Sequence, residues 1–159
     1  MISHVDIRQP DIAGQIHALQ QAAYTVESQL IGYPDLPPLR ESRADLQHSG
    51  EQFLTYGEEG QLAGAVSYLR LGDTLDICRL VVSPAYFRRG IAGKLLEAVE
   101  RSEPGIRQIT VSTAEKNLPA VTLYQKHGYR VARRTVLADG LVLVELLKQI
   151  GGSAAAISR

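Results

Sequence analysis

A strand-like run that turns through arginines and glycines into a helix constrains this chain more than any other feature. The segment reads LVVSPAYFRRGIAGKLLEAVE and spans residues 80–100. Its first three residues are apolar, Pro84 interrupts the run, and apolar residues from Ile91 onward repeat at helical spacing. A strand that leads directly into an amphipathic helix indicates a fold in which helices pack on a sheet.

The rest of the chain predicts a domain built around one central sheet. The predicted order is β-α-α-β-β-β-α-β-α-β-β, with a helix from about residue 12 to residue 30 that Asp11 caps. Ser42 and Asp45 have the spacing of a capping box before a second, short helix. Three strand-like runs between residues 52 and 83 are joined by short turns, which favour antiparallel neighbours. We therefore expect an α/β domain of the mixed α+β kind.

Length and charge limit the classes of protein to which the chain can belong. Its 159 residues suit one domain, which we place at residues 1–150, with a flexible tail over residues 151–159. Seventeen basic and seventeen acidic residues argue against a general binder of nucleic acids or membrane surfaces. The chain has one cysteine, no long apolar run and no signal-like N-terminus, so a cytoplasmic protein is expected.

The small residues Gly90, Ala92 and Gly93 lie at the predicted first turn of the helix that follows the arginines. The first N–H groups of a helix lack internal partners and lie at the positive end of its dipole. They can therefore bind a diphosphate, and Arg88 and Arg89 can add charge at the same place. Alternatively, Gly90 only permits a tight turn and the arginines are solvated. The spacing matches neither a Walker A loop nor a dinucleotide-binding fingerprint.

Two motifs resemble those of the GNAT-type N-acetyltransferases. The first runs from Val82-Ser83-Pro84 to Phe87-Arg88-Arg89-Gly90-Ile91-Ala92 and is similar to the acetyl-CoA signature of that family. The second, NLPAVTLYQKHGY at residues 117–129, is similar to the family's Asn-x-x-Ala-x-x-Leu-Tyr-x-Lys-x-Gly-Phe/Tyr block. The motifs occur in the family's order, and the predicted topology resembles that of the family over roughly residues 3–148.

The resemblance implies a GNAT fold, in which a central, mostly antiparallel twisted sheet is flanked by helices and strands 4 and 5 are parallel and splayed. Acetyl-CoA would lie between these two strands, with its pantetheine arm paired to the backbone of Leu80 and Val82. Leu80 and Val81 would lie nearest the thioester, and core packing of their side chains is compatible with this. The resemblance assigns cofactor binding to Leu80, Val81, Val82, Phe87, Arg88, Arg89, Gly90, Ile91, Ala92, Gly93, Lys94, Asn117, Ala120 and Tyr124.

Phe87 is a departure from the first motif, because the family usually carries Arg or Gln at this position. In the family, main-chain N–H groups hold most of the diphosphate, so the resemblance implies that Phe87 need not abolish binding. We expect it to weaken or reshape that end of the site, with Arg88 and Arg89 supplying the charge instead.

Tyr124 matches the family's general acid, which protonates the departing thiolate of CoA. A phenol has a pKa of about 10 and a thiol one of about 8.5, so the two are reasonable partners for proton transfer. The alternative is a half-buried tyrosine on an amphipathic helix. Asn117 is expected to cap that helix and, by the resemblance, also to contact the cofactor.

An amine must lose a proton before it attacks, and Asp76 occupies a strand position where some members of the family carry a glutamate base. Asp76 is shorter and would need a water relay or a raised pKa, and an Asp without a role is the alternative. Cys78, between Asp76 and Leu80 on the same predicted strand face, is interpreted as a small core residue. The four histidines show no metal-ligand spacing, so no metal is expected.

The segment YTVESQLIGYPDLPPLR is where this family builds much of its acceptor pocket. Glu27, Tyr33, Asp35 and Arg40 are therefore candidate substrate contacts. Its prolines would keep the loop stiff. A purely structural connector is the alternative.

These features predict an enzyme that moves acetyl from acetyl-CoA directly to a primary amine of a small molecule or a peptide. A non-catalytic module that binds or senses acyl-CoA is the alternative, and a nucleotide-diphosphate binder is a third hypothesis. Neither nucleic acid nor a membrane is expected as a partner. A homodimer is compatible with the resemblance, because many relatives pair.

Overall fold

The computed structural model describes residues 1–151, so the predicted flexible tail lies outside the described residues except for Gly151. Within that range, seven strands and four α-helices follow one another in the predicted order, with two short 3-10 turns. No helix of this range is both long and apolar enough to cross a membrane. The bounds are β1 (Ile2–Val5), α1 (Pro10–Ile31), a 3-10 turn (Pro37–Arg40), α2 (Arg43–Gln47), β2 (Gln52–Glu58), β3 (Gln61–Leu71), β4 (Thr74–Val82), a 3-10 turn (Pro84–Tyr86), α3 (Ile91–Glu100), β5 (Gln108–Ala114), α4 (Leu118–Lys126), β6 (Arg130–Val136) and β7 (Val142–Gln149).

The strands form one sheet in the order β1-β2-β3-β4-β5-β7-β6. Neighbouring strands are antiparallel except for β4 and β5, which are parallel. A parallel pair needs a crossover connection, and α3 supplies it between these two strands. The expectation of a mostly antiparallel sheet with parallel fourth and fifth strands is therefore confirmed.

β4 and β5 separate partway along their length. The last pair in their register is Ile77 opposite Val111. Beyond it, β4 continues along β3 to Val82, and β5 continues along β7 to Ala114. The facing edges of the two strands have no sheet neighbour there, so a wedge opens between them and leaves backbone groups for another partner. The expected splaying of these strands is confirmed.

A β-bulge lies at the level where the strands separate. Between the pairs that Ile77 and Arg79 make with β3, Cys78 has no partner, and it is exposed. The prediction that Cys78 is a core residue on one face with Asp76 and Leu80 is wrong. An extra residue in a strand reverses the alternation of the side chains that follow, so Leu80 faces the side opposite to Asp76.

Helices cover both faces of the sheet, and the alternation of the strands divides the core between them. On one face, α3 and α4 pack around Leu75, Leu95 and Ile109, which are fully buried. On the other face, α1 and α2 pack around Ile16 and Phe53. Burying one such side chain stabilises the fold by about 1.5–3 kcal/mol. The wedge is therefore held between two well-packed layers.

Local signals fix where three of the helices begin. Ser42 and Asp45 form the predicted capping box of α2, with both reciprocal hydrogen bonds present. Asn117 caps α4 as predicted, since its Oδ1 accepts a hydrogen bond of 3.2 Å from the N–H three residues later. The predicted cap of α1 is wrong. Pro10 occupies the first turn because its fixed φ suits that position, and Asp11 follows it inside the helix.

Candidate active site

A cavity of about 290 Å³, which we call the central cleft, passes through the sheet where β4 and β5 separate. On the α3–α4 side, its wall includes Ala92, Ala120 and Tyr124. On the α1 side, its wall includes Tyr24 and Glu27. The central cleft thus joins the two faces of the sheet, so two molecules can approach from opposite sides and meet within it.

The edge of β4 that borders the central cleft carries unpaired backbone groups. The N–H of Ser83 donates to the carbonyl of Ala63 on β3 at 2.8 Å, and successive N–H groups of a strand point in opposite directions. The N–H groups of Leu80 and Val82 therefore point away from β3, toward the open wedge. An extended chain with amide groups could bind along this edge as an added strand does.

The start of α3 presents further N–H groups next to this edge. The helix begins at Ile91, its N-cap Gly90 has φ 74°, and no side chain caps it. Arg88 also has a positive φ of 65°, which is uncommon outside glycine and costs energy. The N–H of Lys94 donates to the carbonyl of Gly90 at 3.1 Å, whereas those of residues 91–93 have no acceptor within the helix. The loop and the helix start thus present free N–H groups of the kind that hold anions, and we call this place the candidate anion site.

Three cationic side chains lie near this candidate anion site. Arg89 lies 3.5 Å from Glu58 and stacks on the ring of Tyr86. Lys94 stacks on a tyrosine ring of β2. Arg88 instead lines a second cavity of about 420 Å³ beside the loop, which we call the side pocket. Of the three, Arg88 is therefore the one that faces a cavity large enough for a ligand.

The side pocket adjoins the central cleft and is largely apolar. Phe87 is 43% exposed and forms one wall, and Val26 and Leu30 of α1 contribute to another. Five residues line both cavities, namely Tyr24, Glu27, Leu80, Val82 and Asn117. The departure from the family motif at Phe87 thus places an aromatic ring at a surface continuous with the central cleft.

Gly93 permits a close contact between α3 and α4. A β-carbon on Gly93 would lie 2.9 Å from Nε2 of His127, closer than real contacts allow. A larger residue at this position would require the imidazole of His127 to shift, so the close packing of the two helices favours glycine here. Its assignment to cofactor binding stays a prediction, which its backbone N–H in the first turn of α3 can serve equally well.

Tyr124 is 5% exposed and forms part of the wall of the central cleft. Burial, followed by the negative charge of Glu27, raises the pKa of its phenol above the ordinary value. The phenol therefore stays protonated at neutral pH. Ala120 and Asn117 lie one and two turns before it on α4 and line the same cleft.

Glu27 is the one carboxylate among the described residues that line the central cleft. It follows Tyr24 by three residues on α1, so the two side chains share a helix face. Burial raises the pKa of Glu27, and the side chain of Asn117 partly opposes that shift. The wall of the central cleft thus contains two tyrosines, one amide and one carboxylate, from Tyr24, Tyr124, Asn117 and Glu27.

A buried ion network supports the α1 side of the central cleft. Arg79 on β4 lies 2.6 Å from Glu41 and 2.8 Å from Glu51. Gln20 on α1 accepts a hydrogen bond of 2.9 Å from Arg79 and donates one of 3.0 Å to the carbonyl of Pro38. The network links α1 and the segment before α2 to β4. The Arg79 guanidinium is therefore already bonded to other side chains of the protein.

Cys78 borders the central cleft at the bulge. Part of its surface is open to the cleft, but partial burial, followed by the charges of Glu51 and Asp76, raises the pKa of the thiol to about 12. The nucleophilic form of cysteine is the thiolate. Cys78 is therefore a neutral thiol at pH 7 and not an activated nucleophile.

Asp76 lies where β4 and β5 are still paired, one residue before their last pair. Its carboxylate accepts a hydrogen bond of 2.7 Å from Oγ1 of Thr110, and it lines neither the central cleft nor the side pocket. The catalytic role expected from the resemblance stays a prediction. The structure gives this carboxylate a partner within the sheet.

Three of the four candidate substrate contacts lie outside both cavities, and Glu27 is the one that lines them. The hydroxyl of Tyr33 donates to Asp139 in the turn between β6 and β7. Arg40 lies 3.1 Å from Asp35, and both side chains are largely exposed. These three residues thus make surface contacts in or near the loop after α1, and their roles as substrate contacts stay predictions.

Sequence reasoning missed several residues of the cleft wall. Tyr24 could have been found from its spacing to Glu27 on a helix. Arg79 interrupts the apolar run of β4, and a charge at such a place signals a buried ion pair. Leu141 and Leu143 reach the cleft from the last hairpin through long-range packing, for which the sequence carries no local signal.

A sheet with two splayed parallel strands, next to a helix start with free N–H groups, is the architecture of acetyltransferases of the GNAT class. The chain belongs to this family: the family model described as "Acetyltransferase (GNAT) domain" matches residues 19–150. Acetyl transfer to an amine is the general reaction of the family.

Among curated proteins, the UPF0157 protein YqkA of Bacillus subtilis (strain 168) is 41% identical over 143 residues, which make up 90% of this chain and 42% of YqkA. The chain spans about half the length of the curated relatives that it matches.

Solved structures share the fold along almost the whole chain. The ribosomal-protein-S18-alanine N-acetyltransferase from Escherichia coli matches with a TM-score of 0.74 and 17% identity, over 95% of this chain and 94% of that one. The PaiA N-acetyltransferase from Thermoplasma acidophilum, in complex with coenzyme A, matches with a TM-score of 0.73 and 16% identity, over 94% and 99%. The predicted GNAT fold is therefore confirmed.

Proposed function

We propose that this protein is an N-acetyltransferase that transfers the acetyl group of acetyl-CoA directly to a primary amine. The observation that carries the proposal is that free N–H groups occur in two neighbouring places, the first turn of α3 and the edge of β4 that borders the central cleft. A diphosphate and two amides precede the thioester in acetyl-CoA. The helix start offers partners to the diphosphate, and the strand edge offers partners to the amides.

The residues present fit the cofactor that the family implies. The N–H groups of residues 91–93, together with Arg88, would hold the diphosphate, and the edge at Leu80 and Val82 would bind the pantetheine amides. The PaiA enzyme, which shares the fold, holds coenzyme A, and this supports the same cofactor here. When bound, acetyl-CoA supplies an acetyl group that is already activated as a thioester.

Tyr124 would protonate the sulfur as the bond between carbon and sulfur breaks. A phenol with a raised pKa gives up its proton readily only if it receives another, and the nitrogen newly bonded to the acetyl carbon has one to give. Tyr124 therefore acts as a relay between nitrogen and sulfur. The neutral thiol of Cys78 supports direct transfer without an acetylated cysteine.

Calorimetric titration of the purified chain with CoA, acetyl-CoA and ADP tests the cofactor assignment. CoA and acetyl-CoA should bind clearly more tightly than ADP, because ADP lacks the arm that pairs with β4. Equal affinity for ADP would instead support a binder of nucleotide diphosphates. Failure to bind either CoA species would overturn the proposal.

Replacement of Tyr124 by Phe tests the chemistry. We expect kcat with amine acceptors to fall by about 10²–10⁴-fold, with an unchanged affinity for CoA. Tyr129→Phe is a matched control, because its buried ring lies 5.7 Å from that of Tyr124 and does not line the central cleft. Acetyl-CoA binding without turnover in the wild type, or full function in Tyr124→Phe, would favour a non-catalytic acyl-CoA-binding module.

A further inference from the structure

Glu27 and Tyr124 reach the central cleft from opposite faces of the sheet. Glu27 lies on α1, and Tyr124 lies on α4. The start of α3, where the diphosphate would bind, is on the Tyr124 side, so the thiol would leave on that side. The acceptor must then approach from the α1 side, where Glu27 is the one carboxylate among the described residues of the cleft wall.

The charged and titratable groups around Glu27 leave its charge without a committed counter-ion. The groups that share its cavities are Tyr24 from α1, Cys78 and Arg79 from β4, Arg88 from the loop before α3, and Tyr124 from α4. Arg79 is bonded to Glu41 and Glu51. Within residues 1–151, Glu27 takes part in none of the ion pairs. An ammonium group that enters the cleft would supply the missing positive charge.

The surroundings of Glu27 also suit a proton acceptor. Burial raises the pKa of its carboxyl above the ordinary value, which makes the carboxylate a stronger proton acceptor. Burial, and then the charge of Glu27, raise the pKa of both Tyr24 and Tyr124. The carboxylate is therefore close enough to influence the same space in which the sulfur and the amine would meet.

Asp76, the base expected from the resemblance, is placed less well for this task. It lies in the paired part of β4 and β5, it bonds to Thr110, and it does not line the central cleft. Its carboxylate therefore does not border the space in which the amine and the thioester would meet.

We propose that Glu27 is the catalytic base: its carboxylate binds the ammonium group of the acceptor and takes one proton from it. This inference rests on the proposed acetyltransferase function. The neutral nitrogen then bonds to the acetyl carbon, and the bond between that carbon and sulfur breaks. The sulfur takes the proton of Tyr124, and the surplus proton on nitrogen passes to the Tyr124 oxygen. Glu27 releases its proton to solvent, so the products are an amide, a thiol and one proton.

Glu27→Gln tests this role, because glutamine keeps the shape of the side chain and loses its basicity. Glu97→Gln, on the exposed side of α3, is the matched control. The wild type and both variants are assayed with acetyl-CoA and three probes: 2-phenylethylamine, spermidine and a tripeptide that begins with alanine. Rates are measured from about pH 6 to about pH 10, a range that brackets the deprotonation of the amines.

At pH 7, we expect kcat/KM of Glu27→Gln to be lower by about 10²–10⁴-fold, with an unchanged affinity for CoA. The deficit should shrink as pH rises, because the amine then loses its proton without help. A loss that is equal at every pH would show a merely structural role and overturn the inference.

Hydrolysis of acetyl-CoA without an added amine gives a readout that needs no acceptor. Water then takes the place of the amine, and Glu27→Gln should slow this hydrolysis as well. An unchanged hydrolysis rate in Glu27→Gln, or a pH-dependent loss in Asp76→Asn with full activity in Glu27→Gln, would refute the role of Glu27. A wild type that neither binds CoA nor consumes acetyl-CoA would refute the proposed function itself.

Discussion

The guanidinium of Arg79 lies 2.6 Å from the carboxylate of Glu41, and this ion pair joins β4 to the segment that precedes α2. A second carboxylate, that of Glu51, lies 2.8 Å from the same guanidinium. The side chains of Arg79 and Glu51 are each 9% exposed. One cation thus pairs with two carboxylates in a largely buried place, at the wall of the central cleft.

Replacement of Arg79 by Met should lower the free energy of unfolding by about 3–5 kcal/mol, because it leaves the largely buried carboxylate of Glu51 without a counter-ion. Glu41→Gln should cost less, about 1 kcal/mol, because Arg79 keeps Glu51. Urea unfolding of the two variants and the wild type measures both values. An Arg79→Met variant as stable as Glu41→Gln would show that the network does not support the fold.

The contact between Gly93 and His127 predicts a coupled pair of substitutions. Gly93→Ala should destabilise the protein by about 1–3 kcal/mol, because its β-carbon would lie 2.9 Å from the imidazole. The double variant Gly93→Ala/His127→Ala should recover most of that loss relative to His127→Ala alone.

Gly14→Ala is the control for the Gly93 substitution. Gly14 lies within α1, and the nearest atom to an added β-carbon would be 3.7 Å away. Alanine there should raise the free energy of unfolding by about 0.5–1 kcal/mol, through its better helix propensity. Additive effects of the Gly93 and His127 substitutions, measured by urea unfolding, would contradict the steric explanation.

The hydrogen bond from Tyr33 to Asp139 predicts a measurable shift in a titration. The Tyr33 hydroxyl and the N–H of Leu141 donate to the Asp139 carboxylate and lower its pKa. A depressed carboxylate pKa means that the contact is present above the unfolded pKa of about 3.9 and is lost as pH falls through the folded value. Carboxyl ¹³C NMR should show the Asp139 pKa below the ordinary value in the wild type and higher in Tyr33→Phe. An unchanged titration in Tyr33→Phe would contradict the hydrogen bond.

The sequence was sufficient for features that depend on local pattern. The order of the elements followed from apolar periodicity, and the caps at Ser42 and Asn117 followed from residues that bond within one helical turn. The separation of β4 and β5 came from the resemblance carried by two motifs. These features were predictable because each is encoded by residues close together in the chain.

The features that sequence reasoning missed depend on contacts between distant segments. Cys78 becomes a bulge residue only through its register with β3. Tyr33 was expected to face a substrate, yet its partner Asp139 lies 106 residues away. The side chains that meet around Glu27 come from α1 and α4, on opposite faces of the sheet. No local pattern could show which of these side chains would meet.

Two buried tyrosines differ in whether their hydroxyls have a partner, and this predicts opposite effects of the same substitution. Tyr129 is 2% exposed, and its hydroxyl has no hydrogen-bond partner within residues 1–151. Tyr68 is 1% exposed, and its hydroxyl donates to Glu103 at 2.9 Å. Tyr68→Phe should lower the free energy of unfolding by about 1.5–3 kcal/mol, since a hydrogen bond to a charged group is lost.

Tyr129→Phe removes a hydroxyl that lost its water on folding and gained nothing in return. It should therefore leave the free energy of unfolding unchanged or raise it by about 1 kcal/mol. Urea unfolding of the two variants side by side measures the difference in sign. Equal destabilisation by both substitutions would mean that the Tyr129 hydroxyl does make a stabilising contact. The ring of Tyr129 lies 5.7 Å from that of Tyr124, so such a contact would also help to position Tyr124, the proposed general acid.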